Sequence, residues 1–214
     1  MDEEITIIDS NTRNEKIKNF FINNKKTLIV GFSLILIVII GYLSIQEIKQ
    51  QKKIKLANRF NIVTINYEIE DKKKTTEQLI KIVSENDTTY SPLALYFLID
   101  NNLINNKNEI NSLFDELINK TKLDEEIKNL IIYKKALVNS DFLSENDLLQ
   151  ILNPIINSES IWKSHSLYLM AEFFYSKGQI QKAKEFFNQI VVLPNANYDI
   201  KIETQKRLNR DLSE

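Results

Sequence analysis

The sequence predicts an all-α protein in which one membrane-spanning helix near the amino terminus precedes a stack of helical hairpins. Two observations support this fold class. Residues 27–46 contain no charged side chain, and the residues after them repeat apolar side chains every three or four positions, as helices with one buried face do. No strand-like alternation competes with this periodicity. We therefore expect a short polar tail (1–26), a transmembrane helix (27–46) and a helical domain (47–214).

The apolar segment from Thr27 to Gln46 is long enough to cross a bilayer. A helix of this length spans about 30 Å, the thickness of the hydrocarbon core. A buried core helix of this length rarely lacks charge on every side. A cleaved signal peptide would need small side chains before the cleavage site, whereas the bulky Ile39 and Tyr42 stand two positions before Gly41 and Ser44. We therefore expect an uncleaved anchor.

The charges beside the span do not fix its orientation. Lysine and arginine near the ends of a span favour the cytoplasmic side. Five such residues precede the span and five follow it within residues 47–59. Both orientations therefore stay open on the charges alone.

Composition argues against several functional classes. Past residue 46 the chain has 23 basic and 24 acidic side chains, so it offers no basic surface to nucleic acid. It has no cysteine and three glycines, two of them in the span, which disfavours thiol chemistry, disulfides and phosphate-binding loops. His165 is the single histidine, and the adjacent Glu125 and Glu126 point to different helical faces. We expect no enzyme activity, no cofactor, no metal site and no small-molecule substrate.

Polar breaks divide the domain into helices. We expect helices at 48–70, 75–85, 91–103, 108–119, 124–139, 145–156, 160–176, 180–192 and 199–212. Residues typical of helix ends mark four boundaries, namely Thr75 with Gln78, Ser91 before Pro92, Ser144 with Asp147, and Lys177 before Gly178. Pro154 should kink or end the sixth of these helices.

The run from Leu167 to Ile190 has the clearest hairpin pattern. Small Ala171 and Ala183 allow two helices to approach closely, and Gly178 turns the chain between them. Phe174 and Phe187 would fill the space that remains. Large and small positions at these spacings are typical of a tetratricopeptide repeat.

Two earlier stretches repeat part of this pattern. Ile110 and Phe114 match Ala183 and Phe187 at an offset of 73 residues, and Leu148 and Leu152 match them at an offset of 35. Such periods predict three to four stacked hairpins and a terminal capping helix, in a superhelix whose helices line a concave surface.

The whole arrangement resembles the YfgM-like ancillary subunits of the bacterial Sec translocon. A short polar tail, a single span and a divergent tetratricopeptide domain carry this resemblance. The most similar positions are Trp162, Ala171, Gly178, Ala183, Phe187, Pro194 and Arg207, with a short tail helix capped by Thr12 and Glu15 and the aromatic pair Phe20–Phe21 before the span. Asn101 departs from the pattern, because an aromatic residue is expected there.

The resemblance implies a fold, a location and partners. The domain would be a tetratricopeptide-like, right-handed superhelix. The protein would lie in the inner membrane with a cytoplasmic tail and a periplasmic repeat domain. Its partners would be translocon subunits, periplasmic chaperones or emerging polypeptides.

Binding residues follow from the repeat geometry that the resemblance implies. The first helix of each tetratricopeptide hairpin lines the groove, which gives five candidate protein-binding residues: Tyr133, His165, Tyr168, Glu172 and Tyr175. Tyrosines with polar neighbours suit recognition of an extended polypeptide, because each ring offers apolar area and a hydrogen bond. The basic residues after the span could also attract anionic lipid, although lysines commonly flank spans.

The sequence leaves two other interpretations open. The same fold could serve as an assembly scaffold for envelope or cell-division machinery, with a folded partner. The chain could also have its amino terminus in the periplasm and a cytoplasmic scaffold domain.

Overall fold

The computed structural model describes residues 2–67 and 71–212, with side chains from residue 13 onward. These residues form ten α-helices and no β-strand, which confirms the all-α class. The helices are α1 (Asp2–Asn23), α2 (Lys25–Ile65), α3 (Lys72–Val83), α4 (Tyr90–Asp100), α5 (Lys107–Lys120), α6 (Glu125–Asn139), α7 (Glu145–Ile156), α8 (Lys163–Ser176), α9 (Ile180–Val192) and α10 (Tyr198–Asp211).

The amino-terminal helices differ from their predicted bounds. Helix α2 runs unbroken from Lys25 to Ile65, so the helix predicted over 48–70 continues directly from the span and ends at Ile65. Residues 68–70 lie outside the described residues. The tail helix predicted to start at Thr12 begins instead at Asp2, and the side chain of Thr12 is also outside the described residues.

The chain divides into two compact units, Met1–Lys55 and Leu56–Glu214. In the first unit the apolar residues of α2 are exposed, as the side chains of a membrane-spanning helix are in the absence of lipid. Among the described residues, α2 is the one helix long and apolar enough to cross a membrane, by length and composition. The expected division at residues 26 and 46 remains a prediction.

In the second unit, helices that follow one another in sequence pack together from α3 to α10. Contacts between alternate helices join α3 to α5, α6 to α8, and α8 to α10. The core consists of two clusters of buried apolar side chains. The first is built around Leu79, Leu98 and Phe114, and the second around Met170 and Phe187. Helix α6 contributes to both clusters.

Residues predicted at equivalent hairpin positions are all buried. Ile110 and Phe114 of α5 lie in the first cluster. The second contains Leu148 and Leu152 of α7 and the pair from α9, Ala183 and Phe187. The sequence spacing therefore identified true core positions in three helices.

Two of the predicted helix starts are corrected by the structure. Thr75 lies inside α3 and is buried, whereas Asp71 is the N-cap and accepts a hydrogen bond from the Lys73 amide at 2.9 Å. Ser91 also lies inside its helix. Its hydroxyl accepts from the Asp87 amide at 2.9 Å and donates to the Ile82 carbonyl at 2.7 Å, so it joins α4 to the end of α3.

Two other helix ends are as predicted. Ser144 caps α7 by accepting a hydrogen bond from the Asp147 amide at 3.2 Å. Gly178 ends α8 with φ of 72°, and its amide donates to the Tyr175 carbonyl at 3.0 Å, as in a Schellman motif. Helix α7 continues two residues past Pro154 and ends at Ile156, so the proline lies in its last turn.

A pair of amides joins α5 to α6. Asn111 Nδ2 donates to Asn139 Oδ1 at 3.1 Å, and Asn139 Nδ2 donates to Asn111 Oδ1 at 2.7 Å. Asn139 is buried, so these bonds satisfy an amide group that water cannot easily reach.

Candidate protein-binding site

The five predicted binding residues fall into two groups in the structure. Tyr133 and His165 meet around a tryptophan at the start of α8. Tyr168, Glu172 and Tyr175 lie along α8 and surround an arginine from α10. We call the first group the aromatic cluster (Tyr133, Trp162 and His165) and the second the arginine cluster (Tyr168, Glu172, Tyr175 and Arg207).

The aromatic cluster joins α6 to the start of α8. The rings of Tyr133 and Trp162 stack with their centroids 5.9 Å apart and an angle of 20° between their planes. The imidazole of His165 lies 5.0 Å from the Trp162 ring and 5.9 Å from the Tyr133 ring. All three side chains are half-buried, so each keeps part of its surface accessible.

Local hydrogen bonds fix the position of Trp162. Its backbone amide donates to Ser160 Oγ at 3.1 Å, and that hydroxyl donates to Glu126 Oε2 at 2.7 Å. Glu126 lies in the first turn of α6, so this chain of bonds ties the start of α8 to the start of α6. The ring of Trp162 is thereby held beside Tyr133.

Burial sets the charge state of the aromatic cluster. It raises the pKa of Tyr133, which therefore stays neutral at physiological pH. It lowers the pKa of His165, and the nearby backbone carbonyl of Ile161 offsets this only in part. His165 Nδ1 has no hydrogen bond of normal geometry to any described residue. The cluster is thus an uncharged surface of aromatic rings with polar edges.

The arginine cluster is centred on Arg207 of α10. Its guanidinium donates to both carboxylate oxygens of Glu172, from Nε at 2.7 Å and from Nη2 at 2.5 Å. It also pairs with Asp211 on its own helix and lies 4.5 Å from the centre of the Tyr175 ring. One cation thus contacts two carboxylates and the face of an aromatic ring.

Tyr168 completes the arginine cluster. Its ring packs edge-on against Phe187, with centroids 5.5 Å apart. Burial, followed by the charge of Glu172 and a hydrogen bond to it, raises the pKa of Tyr168 to about 12. Its hydroxyl therefore remains protonated at physiological pH.

Helix α10 occupies the face of α8 that was predicted to bind a partner. The carboxylate of Glu172 is engaged by Arg207, and the ring of Tyr175 is covered on one side by the same guanidinium. Tyr133 and His165 instead pack against each other and against Trp162. The structure thus separates the candidates into a set engaged by Arg207 and a set packed around Trp162.

Sequence reasoning missed Arg207 as a partner of the predicted site. Residues 168, 172 and 175 share one helical face. No local pattern distinguishes Arg207 from the other lysines and arginines as the partner of Glu172, because the pairing depends on how α10 packs.

A polar cavity of about 270 Å³ lies beside Glu172. It lies between the end of α6 and α8, and its lining residues are Ser140, Asp141, Leu169, Glu172, Phe173, Ser176 and Lys177. Among the described residues, no group of three or more histidine, cysteine, aspartate or glutamate side chains could hold a metal ion.

No protein-family model matches the chain, and no curated protein and no solved structure matches it at a significant level.

Proposed function

We propose that this chain is a membrane-tethered protein-binding scaffold, with a chaperone-like adaptor role beside the Sec translocon. The aromatic cluster carries the proposal, because it presents a neutral aromatic surface formed by two consecutive hairpins. Tyrosine, tryptophan and histidine side chains of this kind suit adaptable binding of polypeptides, since each combines apolar area with a polar edge.

The proposed architecture of the domain is a tetratricopeptide-like, right-handed superhelix. Two observations support it. Contacts between α6, α8 and α10 are those expected if these are the first helices of successive repeats. The residues at matching positions of α5, α7 and α9 are buried, as repeat positions should be.

The proposed binding surface centres on Tyr133 and His165, and we add Trp162 because its ring contacts both. These side chains are half-buried and lie on adjacent hairpins, so an extended polypeptide could contact both. Tyr168, Glu172 and Tyr175 remain candidates, but a partner would have to share them with α10 or displace it.

The proposed location is the bacterial inner membrane, with the tail in the cytoplasm and the repeat domain in the periplasm. The long exposed apolar part of α2 supports an anchor. The resemblance to YfgM-like subunits supports the orientation and the translocon as partner. A tether near the translocon exit would raise the effective concentration of a weak binding surface there, to about the millimolar range for a short linker.

Site-specific photo-crosslinking tests the binding surface. A photoreactive amino acid would replace Tyr133 in the full chain in native membranes, and a matched variant would carry it at Phe142, which is exposed at 67% and lies outside the cluster. We expect crosslinks to translocon subunits or emerging polypeptides from position 133 and far fewer from position 142. Equal crosslinking from both positions would contradict the proposed surface.

Affinity purification in mild detergent tests the class of partner. We expect Sec components to co-purify. Recovery of cell-division proteins without any Sec component would favour the assembly-scaffold alternative and overturn the translocon proposal.

Protease accessibility in spheroplasts tests the orientation. We expect the repeat domain to be digested while the inner membrane is intact. Resistance until the membrane is ruptured would show a cytoplasmic domain instead.

A further inference from the structure

Four lysines follow the apolar part of α2 on one side of the helix. They are Lys49, Lys52, Lys53 and Lys55, and we call them the basic segment. All four are exposed, and none has an ion-pair partner within residues 13–67 and 71–212. Their charges are therefore available to an external partner.

The basic segment is one-sided. At 100° per residue its four side chains fall within roughly 160° of the helix circumference. Glu47, the single acidic residue of this stretch, lies on the opposite side, where its carboxylate accepts a hydrogen bond from Gln51 Nε2 at 2.8 Å. The carboxylate therefore does not neutralise the lysines.

The helix fixes the distance of these charges from the apolar residues. Helix α2 is continuous through this stretch, so Lys49 stands about 4.5 Å and Lys55 about 14 Å beyond Gln46 along the axis. The headgroup region extends roughly 5–8 Å beyond each side of the hydrocarbon core, and a flexible lysine stem can reach back toward it. The charges thus lie within about one Debye length of the lipid phosphates.

We propose that the basic segment binds anionic phospholipid headgroups and enriches such lipids around the helix. A lipid surface is favoured over an acidic protein because the charges directly follow an exposed apolar helix. This inference rests on the anchoring of α2 in the bilayer, which belongs to the proposed function above.

Spin-labelled lipids can test the two claims separately. The full chain would be reconstituted in phosphatidylcholine vesicles that contain traces of spin-labelled phosphatidylcholine or phosphatidylglycerol. A motionally restricted phosphatidylcholine signal reports that α2 lies in the bilayer. The ratio of phosphatidylglycerol to phosphatidylcholine in the restricted population reports the binding of anionic headgroups.

We expect an enrichment of phosphatidylglycerol of about two- to threefold for the natural chain, decreasing with added salt. A variant carrying Lys49→Gln, Lys52→Gln, Lys53→Gln and Lys55→Gln should lose most of it while keeping the restricted phosphatidylcholine signal. A control with the same change in net charge, Lys72→Gln, Lys81→Gln, Lys122→Gln and Lys128→Gln, should keep it.

Three results would overturn the inference. Equal restriction of both lipids by the natural chain would show that the basic segment does not bind anionic lipid, although α2 is in the bilayer. Equal loss in the control variant would assign the effect to net charge. Absence of any restricted phosphatidylcholine would show that α2 is not in the bilayer, so the proposed anchoring would fail as well.

Discussion

Arg207 of α10 and Glu172 of α8 join two helices that are separated by α9 in the sequence. Two nearly parallel hydrogen bonds, at 2.7 and 2.5 Å, link the guanidinium to both carboxylate oxygens. Thr204 is the one buried side chain within α10, whose residues are all described. Ile200 and Leu208 also pack, partly buried, against the second core cluster, and Leu212 just after the helix is buried. Polar and apolar contacts therefore both attach α10.

Replacement of Arg207 should loosen α10. We expect Arg207→Ala to cost about 1–2 kcal/mol, less than a fully buried pair, because Glu172 is partly exposed. Amide hydrogen exchange in α10 should become faster while exchange in α3 stays unchanged. Lys206→Ala is the matched control, since its pair with Glu203 is largely exposed. Equal acceleration in both variants would contradict the assignment.

Acid should also weaken the contacts of α10. Hydrogen bonds from Arg210 and then Arg207 lower the pKa of Asp211 from 3.8 to about 2. A carboxyl with a lowered pKa in the folded state stabilises the fold above its unfolded pKa, and this contribution is lost as the pH falls toward 2. The thermal midpoint of the natural chain should therefore fall more steeply between these values than that of Asp211→Asn. Parallel curves would show that Asp211 has no such role.

Phe114 and Phe187, which were predicted at matching repeat positions, should each contribute strongly to the stability of the fold. We expect Phe114→Ala and Phe187→Ala each to lower the free energy of unfolding by about 3–5 kcal/mol, because both rings are fully buried. Phe142→Ala should cost about 0.5 kcal/mol or less, since its ring is exposed at 67%. Denaturant unfolding of the full chain in detergent would measure all three, and a loss in Phe142→Ala as large as in the others would be inconsistent with the core described.

The turn after α8 requires a residue with a left-handed backbone conformation. Gly178 has φ of 72°, and an added Cβ would meet no atom within 4 Å, so backbone strain alone should set the cost of Gly178→Ala. We expect about 1 kcal/mol, measured by thermal unfolding. Asn102, with φ of 50°, provides the converse test, because Asn102→Gly should be neutral or slightly stabilising. A destabilising Asn102→Gly would show that its side chain matters more than its backbone conformation.

Charges at the centre of the apolar segment 27–46 should prevent membrane integration. The segment 27–46 contains thirteen leucine, isoleucine, valine or phenylalanine residues. At the values for a helix centre, they favour insertion by at most about 4–8 kcal/mol, and the eleven that remain after Ile37 and Ile40 are replaced by at most about 3–7 kcal/mol, whereas two central arginines oppose it by about 5–7 kcal/mol. The double variant Ile37→Arg and Ile40→Arg should therefore be extracted from membranes by carbonate, while Ile37→Leu with Ile40→Leu should resist. Retention of the arginine variant would argue against a span.

Helix periodicity predicted most of the fold, and the failures have physical reasons. Helices α7 and α9 begin and end at the predicted residues, because a serine cap and a glycine turn mark their boundaries. The start of α3 was misplaced, since the cap is Asp71 and three lysines separate it from the apolar stripe. The helix predicted from residue 48 continues directly from the span, because no helix-breaking residue lies between them.

The sequence spacing predicted which site residues share one face of a helix, but not which residues of other helices they contact. The spacing of Tyr168, Glu172 and Tyr175 correctly implies one shared face of α8. Their contact with Arg207, 35 residues after Glu172, depends on tertiary packing that no local pattern encodes. The stacking of Tyr133 on Trp162 likewise joins two helices that are separated by a third in the sequence.

The amide pair of Asn111 and Asn139 has a consequence for the alignment of α5 with α6. Apolar side chains tolerate sliding, because one methyl group can replace another in a contact. Two amides that each donate to and accept from the other satisfy both groups in a single axial register. A slide of one turn, about 5.4 Å, would break both bonds and leave the buried Asn139 Oδ1 without its partner, although Asn139 Nδ2 would keep its bond to the Lys135 carbonyl at 2.7 Å. The pair therefore selects one alignment of these two helices and disfavours neighbouring ones.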